Sequence, residues 1–386
     1  MFGRPAAIVT VLTLANSLSV TGFTFLAPLL VDLAREFGTT VAVTGQLAVA
    51  TAIPWSLGGL LMGPLSDRYG RRPVVVAGAF VMGLATASAA LAGDLPTLVA
   101  LRFLTGCAGA AMSPILLAGV GDLFQGSART RAFGWVNAGF AFAALLGVPL
   151  ATVIAGGTNW RVAFAVVGCA TMALVLPLSR LSFPPARHSP KDLRADYAGL
   201  FRRRAVWLVL GSNGLERALY AAAATYFPPL LIQRYELPLR QVAPVLAVTA
   251  VGGLIGNLAG ARVEVRVPAA KLFATCQAGA AALVLLVFAS APPLALAAAL
   301  VFAFGAINAY SRPTLLTLVT DLGTKARGSM LGVLATSNQG GFTLGAAAGG
   351  LALALADYPG MGAVAGILGV SASLFAVALS RSLARG

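Results

Sequence analysis

Two neighbouring side chains of opposite charge, Glu216 and Arg217, lie in the middle of a long apolar run of this sequence. Two further arginines, Arg102 and Arg312, interrupt other apolar runs. A charge in an apolar environment is costly, so each of these residues is a functional candidate. A buried carboxylate can alternate between its ionised and neutral forms, whereas a neighbouring guanidinium holds it ionised. Glu216 is therefore either a proton carrier or one partner of a structural ion pair with Arg217.

A second group of charges lies in the stretch GPLSDRYGRRPV, residues 63–74, between two apolar runs. Another carboxylate, Asp122, lies near the end of a later run. A carboxylate beside a guanidinium and a helix N-terminus is stabilised only while those partners stay close, so the group is either a switchable contact or a solvated loop. The glycines of the stretch predict a tight turn and a close helix approach. The residues of interest in it are Gly63, Asp67, Arg68, Gly70, Arg71 and Arg72.

Long apolar helices must hold these charges. Of the 386 residues, 58% are hydrophobic and 10% are charged, which is far too apolar for a soluble protein of this size. A helix that crosses a bilayer needs about 20 apolar residues. The pattern predicts an all-α integral membrane protein with twelve transmembrane helices. The predicted spans are 6–31, 41–65, 73–93, 95–121, 131–156, 160–181, 205–232, 241–261, 269–290, 293–320, 328–355 and 359–380.

The basic residues are distributed unevenly around the predicted spans. The net charge is +15, and most of the 27 lysines and arginines fall on the side that holds both termini. This positive-inside bias predicts cytoplasmic termini and accounts for the basic charge without a nucleic-acid partner. The three cysteines are dispersed, and there is one histidine, so we expect no metal site and no cofactor. The exceptions to the bias are Arg35, Arg161, Arg234 and Arg240.

One long polar segment divides the predicted spans six and six. We expect an N-terminal six-helix bundle at 1–181, a cytoplasmic linker at 182–204 and a C-terminal six-helix bundle at 205–386. The two halves resemble each other, because SPILLAGVGD and SRPTLLTLVTD place Pro114 and Pro313, and their aspartates, at the same offset. A duplicated six-helix unit is a known transporter architecture in which the substrate lies near mid-membrane between the halves.

The charged stretch resembles a motif of the major facilitator superfamily, in which a glycine and a leucine precede Asp-Arg-x-Gly-Arg-Arg. The fourth predicted helix resembles a second motif of that family through Arg102, Gly106 and Gly109. The resemblance implies two pseudo-symmetric bundles that move by alternating access. It further implies that the charged stretch and Asp122 brace the halves in the outward-facing state, as a conformational gate. In this family Arg102 is tied to coupling and helix bracing.

The fifth predicted helix, residues 139–156, resembles the Gly/Pro-rich motif of drug and sugar antiporters through Gly147 and Pro149, although Val148 separates the two. The resemblance implies a secondary active transporter that exports a small amphipathic drug, sugar or metabolite in exchange for protons. The excess of arginine over glutamate inside the spans keeps uptake or exchange of an organic anion open as an alternative. A membrane sensor and an integral membrane enzyme are more remote readings, and we expect no enzyme activity.

Polar side chains on several predicted helices are candidates for binding a small-molecule substrate, although membrane helices also use such groups for packing. In the family that the sequence resembles, helices 1, 4, 7 and 10 line the cavity. The other expectations are protons as the coupling ion, a lipid bilayer around the chain, the inner (plasma) membrane as location, and a monomer. The substrate-binding candidates are Asn16, Ser17, Thr21, Asn137, Asn213, Tyr220, Asn308, Tyr310, Arg312 and Asn338.

Overall fold

The computed structural model describes residues 5–183, 199–262, 268–322 and 327–384. Most of the predicted linker, residues 184–198, therefore lies outside the described residues. The same holds for Arg4 and Arg385 and for the basic residues in the loops 263–267 and 323–326. Every element within the described residues is helical, so the prediction of an all-α fold is confirmed.

The described residues of the first half form ten α-helices. A 3-10 turn, Ala27–Leu29, joins the first helix to the second, and a π-helical turn, Ala143–Gly147, joins the seventh to the eighth. The helices are α1 (Pro5–Thr24), α2 (Leu30–Glu36), α3 (Val41–Tyr69), α4 (Arg71–Ala89), α5 (Leu95–Gly109), α6 (Ser113–Leu123), α7 (Gly126–Phe142), α8 (Val148–Gly157), α9 (Trp160–Ala173) and α10 (Val175–Ser179).

Six helices follow in the described residues of the second half. The last of them is broken at Ala356 and Asp357, whose backbone angles are not helical, and it covers both of the last two predicted spans. The helices are α11 (Arg204–Gln233), α12 (Leu239–Arg262), α13 (Ala269–Ser290), α14 (Leu294–Tyr310), α15 (Arg312–Leu322) and α16 (Arg327–Leu383).

Ten helical segments within the described residues are long and apolar enough to cross a membrane. One of them lies in α16 and holds two predicted spans. Helix α11, which carries Glu216 and Arg217, is not among the ten. The ten segments and α11 together correspond to the twelve predicted spans.

The chain divides into two compact units. The first comprises Met1–Ser189 and Leu237–Pro244, and the second comprises Pro190–Glu236 and Val245–Gly386. Each unit has its own apolar core, in which buried leucine, valine and alanine predominate. The sequence places Leu237–Pro244 in the C-terminal bundle, whereas its contacts belong to the first unit. One such contact is the hydrogen bond from Nε of Arg240 to the carbonyl of Gly156 (3.0 Å).

The two units break corresponding helices just before a proline. Helix α5 gives way to α6 before Pro114, and α14 gives way to α15 before Pro313. Proline has no amide hydrogen and is tolerated in the first turn of a helix, so each of these single predicted spans becomes two helices. The breaks deliver Ser113 and Arg312 to the interiors of their units.

Local signals set the helix ends near the charged stretch. Gly70, with φ of 92°, ends α3 and precedes α4, so the tight turn expected there is present. Glycine adopts this conformation without steric cost. On the next loop, Asp94 caps α5 by accepting a hydrogen bond from the amide of Thr97 (2.7 Å), which lowers the pKa of the Asp94 carboxyl.

Candidate functional site

Glu216 is the fully buried centre of a charged cluster in the second unit. Its carboxylate accepts hydrogen bonds from Nε of Arg217 (2.6 Å), Nη1 of Arg312 (3.0 Å) and Nδ2 of Asn308 (2.8 Å). Nη2 of Arg217 is a fourth donor, so each carboxylate oxygen has two. Helices α11, α14 and α15 thereby meet at one carboxylate. Two guanidiniums in a low-dielectric surrounding strongly favour its ionised form.

A branch of hydrogen bonds extends this cluster to α16. Nη1 of Arg312 also donates to Oδ1 of Asn213 (2.9 Å). Nδ2 of Asn213 donates to Ser337 Oγ and to Asn338 Oδ1, both at 3.0 Å. Four of the substrate-binding candidates, counting Asn308, therefore belong to one network that the sequence distributes over four helices.

Three aromatic rings flank the cluster. The guanidinium of Arg217 lies over the ring of Tyr220, 4.9 Å from its centroid. Tyr220 stacks with Phe304 at 6.2 Å between ring centroids and meets Phe342 edge-on at 5.9 Å. The Tyr220 ring stabilises the cation through its π face, and the three rings form an apolar cluster that begins about one helical turn from Glu216.

Sequence reasoning missed three members of this network, Ser337 and the fully buried Gln277 and Ser311. Nε2 of Gln277 donates to Ser311 Oγ (2.9 Å), and the Ser311 hydroxyl donates to the carbonyl of Asn308 (2.8 Å). A single glutamine in the apolar run of α13 was the available signal, because a buried amide needs hydrogen-bond partners. Tyr310 is half-buried and takes no part in this network within the described residues.

The first unit has an uncharged contact at its own broken helix. Asn16 is fully buried; its Nδ2 donates to the carbonyl of Val136 (2.8 Å), and its Oδ1 accepts from Ser113 Oγ (2.7 Å). Ser113 occupies the position in the repeat that Arg312 occupies in the second half. Corresponding positions of the two units therefore have different chemistry, neutral in the first unit and charged in the second.

The remaining binding candidates of the first unit are scattered. Thr21 is buried, and its Oγ1 has no hydrogen-bond partner among the described residues. It packs against Gly147 in the π-helical turn, where an added Cβ would lie 2.0 Å from that oxygen. Pro149 follows in the first turn of α8. Ser17 is half-buried and Asn137 is exposed, and neither joins the contacts described above.

Arg102 is fully buried and braces α5 against the end of α1. Its Nη1 donates to the carbonyl of Gly22 (2.8 Å) and its Nη2 to the carbonyl of Phe23 (3.1 Å). Its Nε has no acceptor within the described residues. The guanidinium is thus solvated by backbone carbonyls and forms no ion pair with a described carboxylate.

The charged stretch assembles around Arg71 in the first unit. Nη1 of Arg71 bonds to Asp67 Oδ1 (2.9 Å) and to Ser66 Oγ (2.7 Å), and Nε bonds to Asp122 Oδ2 (3.0 Å). The Arg71 side chain is only 14% exposed, whereas that of Asp67 is 54% exposed. One guanidinium therefore joins the end of α3, the start of α4 and the end of α6.

The other members of the stretch are less engaged. The guanidinium of Arg68 lies over the ring of Tyr69, 5.4 Å from its centroid, and Arg72 is exposed. An added Cβ at Gly63 would meet nothing within 4 Å. The close helix approach expected at Gly63 therefore has no partner among the described residues and stays a prediction, whereas Gly70 has a conformational reason for its identity.

A second carboxylate contact, which sequence reasoning missed, lies elsewhere in the first unit. Glu36 accepts hydrogen bonds from Trp160 Nε1 and Arg161 Nη1, and Nη2 of Arg161 donates to the carbonyl of Ala92 (2.9 Å). The Glu36 side chain is 39% exposed. A cavity of about 420 Å³ opens beside it, lined in part by Asp32.

These features place the chain among the polytopic helical membrane proteins that are built from two repeated units. Residues 12–339 match the sequence profile of the Major Facilitator Superfamily, and the chain belongs to that family. It is a multi-pass membrane protein of a family of transporters, and the fold expected from the motifs is confirmed.

The chain is 29% identical over 368 residues to a chloramphenicol resistance protein of Streptomyces lividans, across 92% of this chain and 90% of that one. It is 27% identical over 245 residues to the uncharacterized MFS-type transporter YceJ of Bacillus subtilis. That match spans 62% of each chain, and others span as little as 34% of the curated relative. The crystal structure of a bacterial homolog of the human lysosomal transporter Spinster shares the fold, with a TM-score of 0.80, 15% identity, and coverage of 100% of this chain and 98% of that one.

Proposed function

We propose that the protein is a secondary active transporter that exports a small amphipathic compound in exchange for protons, by alternating access. The observation that carries the proposal is Glu216, an ionisable group that is fully buried and bonded by side chains of three helices. A charge inside a membrane protein is costly and is usually retained for transport or coupling. The Streptomyces lividans relative is named for chloramphenicol resistance, which is in keeping with export.

Glu216 has two possible roles within this function. As the proton carrier, it takes up a proton after Arg312 has left the carboxylate. As a counter-ion, it stays ionised between Arg217 and Arg312. The four donors around the carboxylate support the counter-ion role while these contacts persist, because a protonated carboxyl loses the attraction of both guanidiniums. Arg102, held by two backbone carbonyls, is the coupling candidate of the first unit.

Uptake or exchange of an organic anion is a second candidate, favoured by one specific observation. Arg217 and Arg312 share a single carboxylate, so the cluster carries one more positive than negative charge. A buried surplus charge attracts a ligand of the opposite sign.

We also propose that Arg71, with Asp67 and Asp122, forms the conformational gate of the first unit. The three side chains hold three helices together, and the ion pairs are lost if those helices separate. The charge distribution supports an inner (plasma) membrane location with both termini in the cytoplasm. We further propose that the transporter works as a monomer.

The test is transport in reconstituted vesicles under an imposed pH gradient, with cationic, neutral and anionic compounds in parallel. If Glu216 carries the proton, Glu216→Gln should lose pH-driven accumulation and keep exchange of unlabelled for labelled compound. Glu36→Gln is the matched control, because it removes another carboxylate that is held by two side chains. A normal pH-driven rate in Glu216→Gln excludes the carrier role, and the lack of flux for every compound excludes transport.

A further inference from the structure

We propose that Arg312 is the guanidinium of the second unit that contacts the ligand, and that Glu216 sets the ligand's charge. The site then accepts a singly charged amphipathic anion with a flat apolar part. The proposal rests on the transport function proposed above, but on neither the direction of transport nor the coupling ion.

The net charge of the cluster determines which net charge of the ligand is favoured. Glu216 cancels one of the two guanidinium charges, and the other side chains of the network, such as Asn213 and Asn308, are neutral. One carboxylate on the ligand therefore brings the cluster to neutrality. A dianion leaves a surplus negative charge in a low-dielectric surrounding, and a cation adds to the positive surplus, so both are disfavoured.

The hydrogen bonds distinguish the two arginines. Arg217 is engaged through Nε and Nη2 with Glu216 and Asn308, it is covered by Tyr220, and its side chain is 13% exposed. Arg312 uses only Nη1, and its side chain is 24% exposed. Its Nε and Nη2 have no acceptor among the described residues. These two donors form one edge of the guanidinium, which matches a carboxylate in a two-bond contact.

Two neighbouring features suit such a ligand. Helix α15 begins at Arg312 and runs for 11 residues, so the positive end of its dipole lies beside the guanidinium. The half-buried rings of Tyr220 and Phe342, which meet edge-on, offer an apolar wall for a flat ligand body, and the buried ring of Phe304 stacks on Tyr220. A carboxylate joined to an aromatic or similarly flat group combines both requirements.

The proposal is tested by ligand-induced thermal stabilisation of the purified full chain, with benzoate, the neutral benzamide and the doubly charged isophthalate as probes. Benzoate should stabilise the protein at lower concentrations than either of the others. Arg312→Gln should weaken the benzoate effect about tenfold or more, because it removes a charge-assisted two-bond contact. Arg312→Lys keeps the positive charge but lacks the two-donor edge of the guanidinium. Its stabilisation by benzoate should lie between that of the unchanged chain and that of Arg312→Gln.

Glu216→Gln supplies the decisive comparison, since it raises the charge of the cluster by one. The preference should shift from benzoate toward isophthalate by about tenfold, a change of about 1.4 kcal/mol in relative affinity. Arg240→Gln, in the first unit, should leave all three probes unaffected. Equal stabilisation by benzamide and benzoate, no stabilisation by benzoate, or an unchanged isophthalate-to-benzoate ratio in Glu216→Gln overturns the proposal. Vesicle flux of neutral compounds that persists in Arg312→Gln leaves the transport function intact.

Discussion

Glu36 is held by two side chains and Glu216 by three, and the two carboxylates differ in burial. Glu216 is inaccessible to solvent and lies between Arg217 and Arg312, whereas the Glu36 side chain is 39% exposed. Removing one partner of a buried ion pair strands the remaining charge, at a cost of about 3–5 kcal/mol. An exposed pair contributes about 0–1 kcal/mol, because water replaces the lost partner. Burial therefore decides which carboxylate matters for stability.

We predict that Glu216→Gln lowers the thermal unfolding midpoint of the purified protein well below that of Glu36→Gln. The amide keeps the size of the side chain but leaves Arg217 and Arg312 without a counter-charge. The midpoints are measured by tryptophan fluorescence in the same detergent, with the unchanged chain as reference. Equal shifts in the two variants would show that water reaches the Glu216 cluster.

The sequence identifies the members of this cluster but not their arrangement. Glu216, Arg217 and Arg312 are conspicuous because charges are rare in apolar runs. Their convergence depends on how α11, α14 and α15 are rotated about their axes, and a pattern without a strong polar face leaves that rotation undetermined. Gln277 could not be identified from the sequence for a related reason, because a single amide in an apolar run is as compatible with helix packing as with a functional network.

At the scale of the elements, glycines set how closely helices approach. An added Cβ at Gly345 in α16 would lie 2.1 Å from the carbonyl oxygen of Ala218 in α11, whereas one at Gly340 would meet nothing within 4 Å. Small residues at helix contacts allow such approaches in membranes. The sequence predicted the spans of these helices, but not the breaks at Pro114 and Pro313, because a proline can kink a span or divide it.

The same two glycines supply a matched pair of substitutions. Gly345→Ala should destabilise the protein by about 1–3 kcal/mol, because the methyl group forces α11 and α16 apart. Gly340→Ala should be neutral or stabilise by up to about 1 kcal/mol, because alanine is the better helix former. Thermal unfolding midpoints of both variants check this. A loss of stability in Gly340→Ala that equals the loss in Gly345→Ala would contradict the packing argument.

At the scale of the whole molecule, the two copies of the repeat carry different charged contacts. The ion pairs of Arg71 belong to the first unit, and the cluster around Glu216 belongs to the second. Gly260 takes the place of Asp67 in the second copy, where an added Cβ would lie 2.2 Å from the carbonyl oxygen of Tyr310. A close helix contact thus replaces a charge. The substitution is visible in the sequence, but its packing reason appears only in the structure.

The gate proposal makes a prediction about the conformational equilibrium. Asp67→Asn removes one ion-pair partner of Arg71, and the exposure of Asp67 limits the effect to about 0.2–1 kcal/mol, or between about 1.4- and 5-fold in population. We expect crosslinking of cysteine pairs on the cytoplasmic side to fall and crosslinking on the opposite side to rise, in a chain whose own Cys107, Cys169 and Cys276 have been replaced.

Two further variants make the gate experiment decisive. Asp122→Asn should act in the same direction, because the same guanidinium holds both carboxylates. Asp94→Asn is the control, since it removes an exposed charge while asparagine preserves the helix cap. If all three variants keep the pattern of the unchanged chain, the charges around Arg71 serve membrane topology alone. If only Asp67→Asn and Asp122→Asn shift it, the contact that joins α3, α4 and α6 also controls access to the transport path.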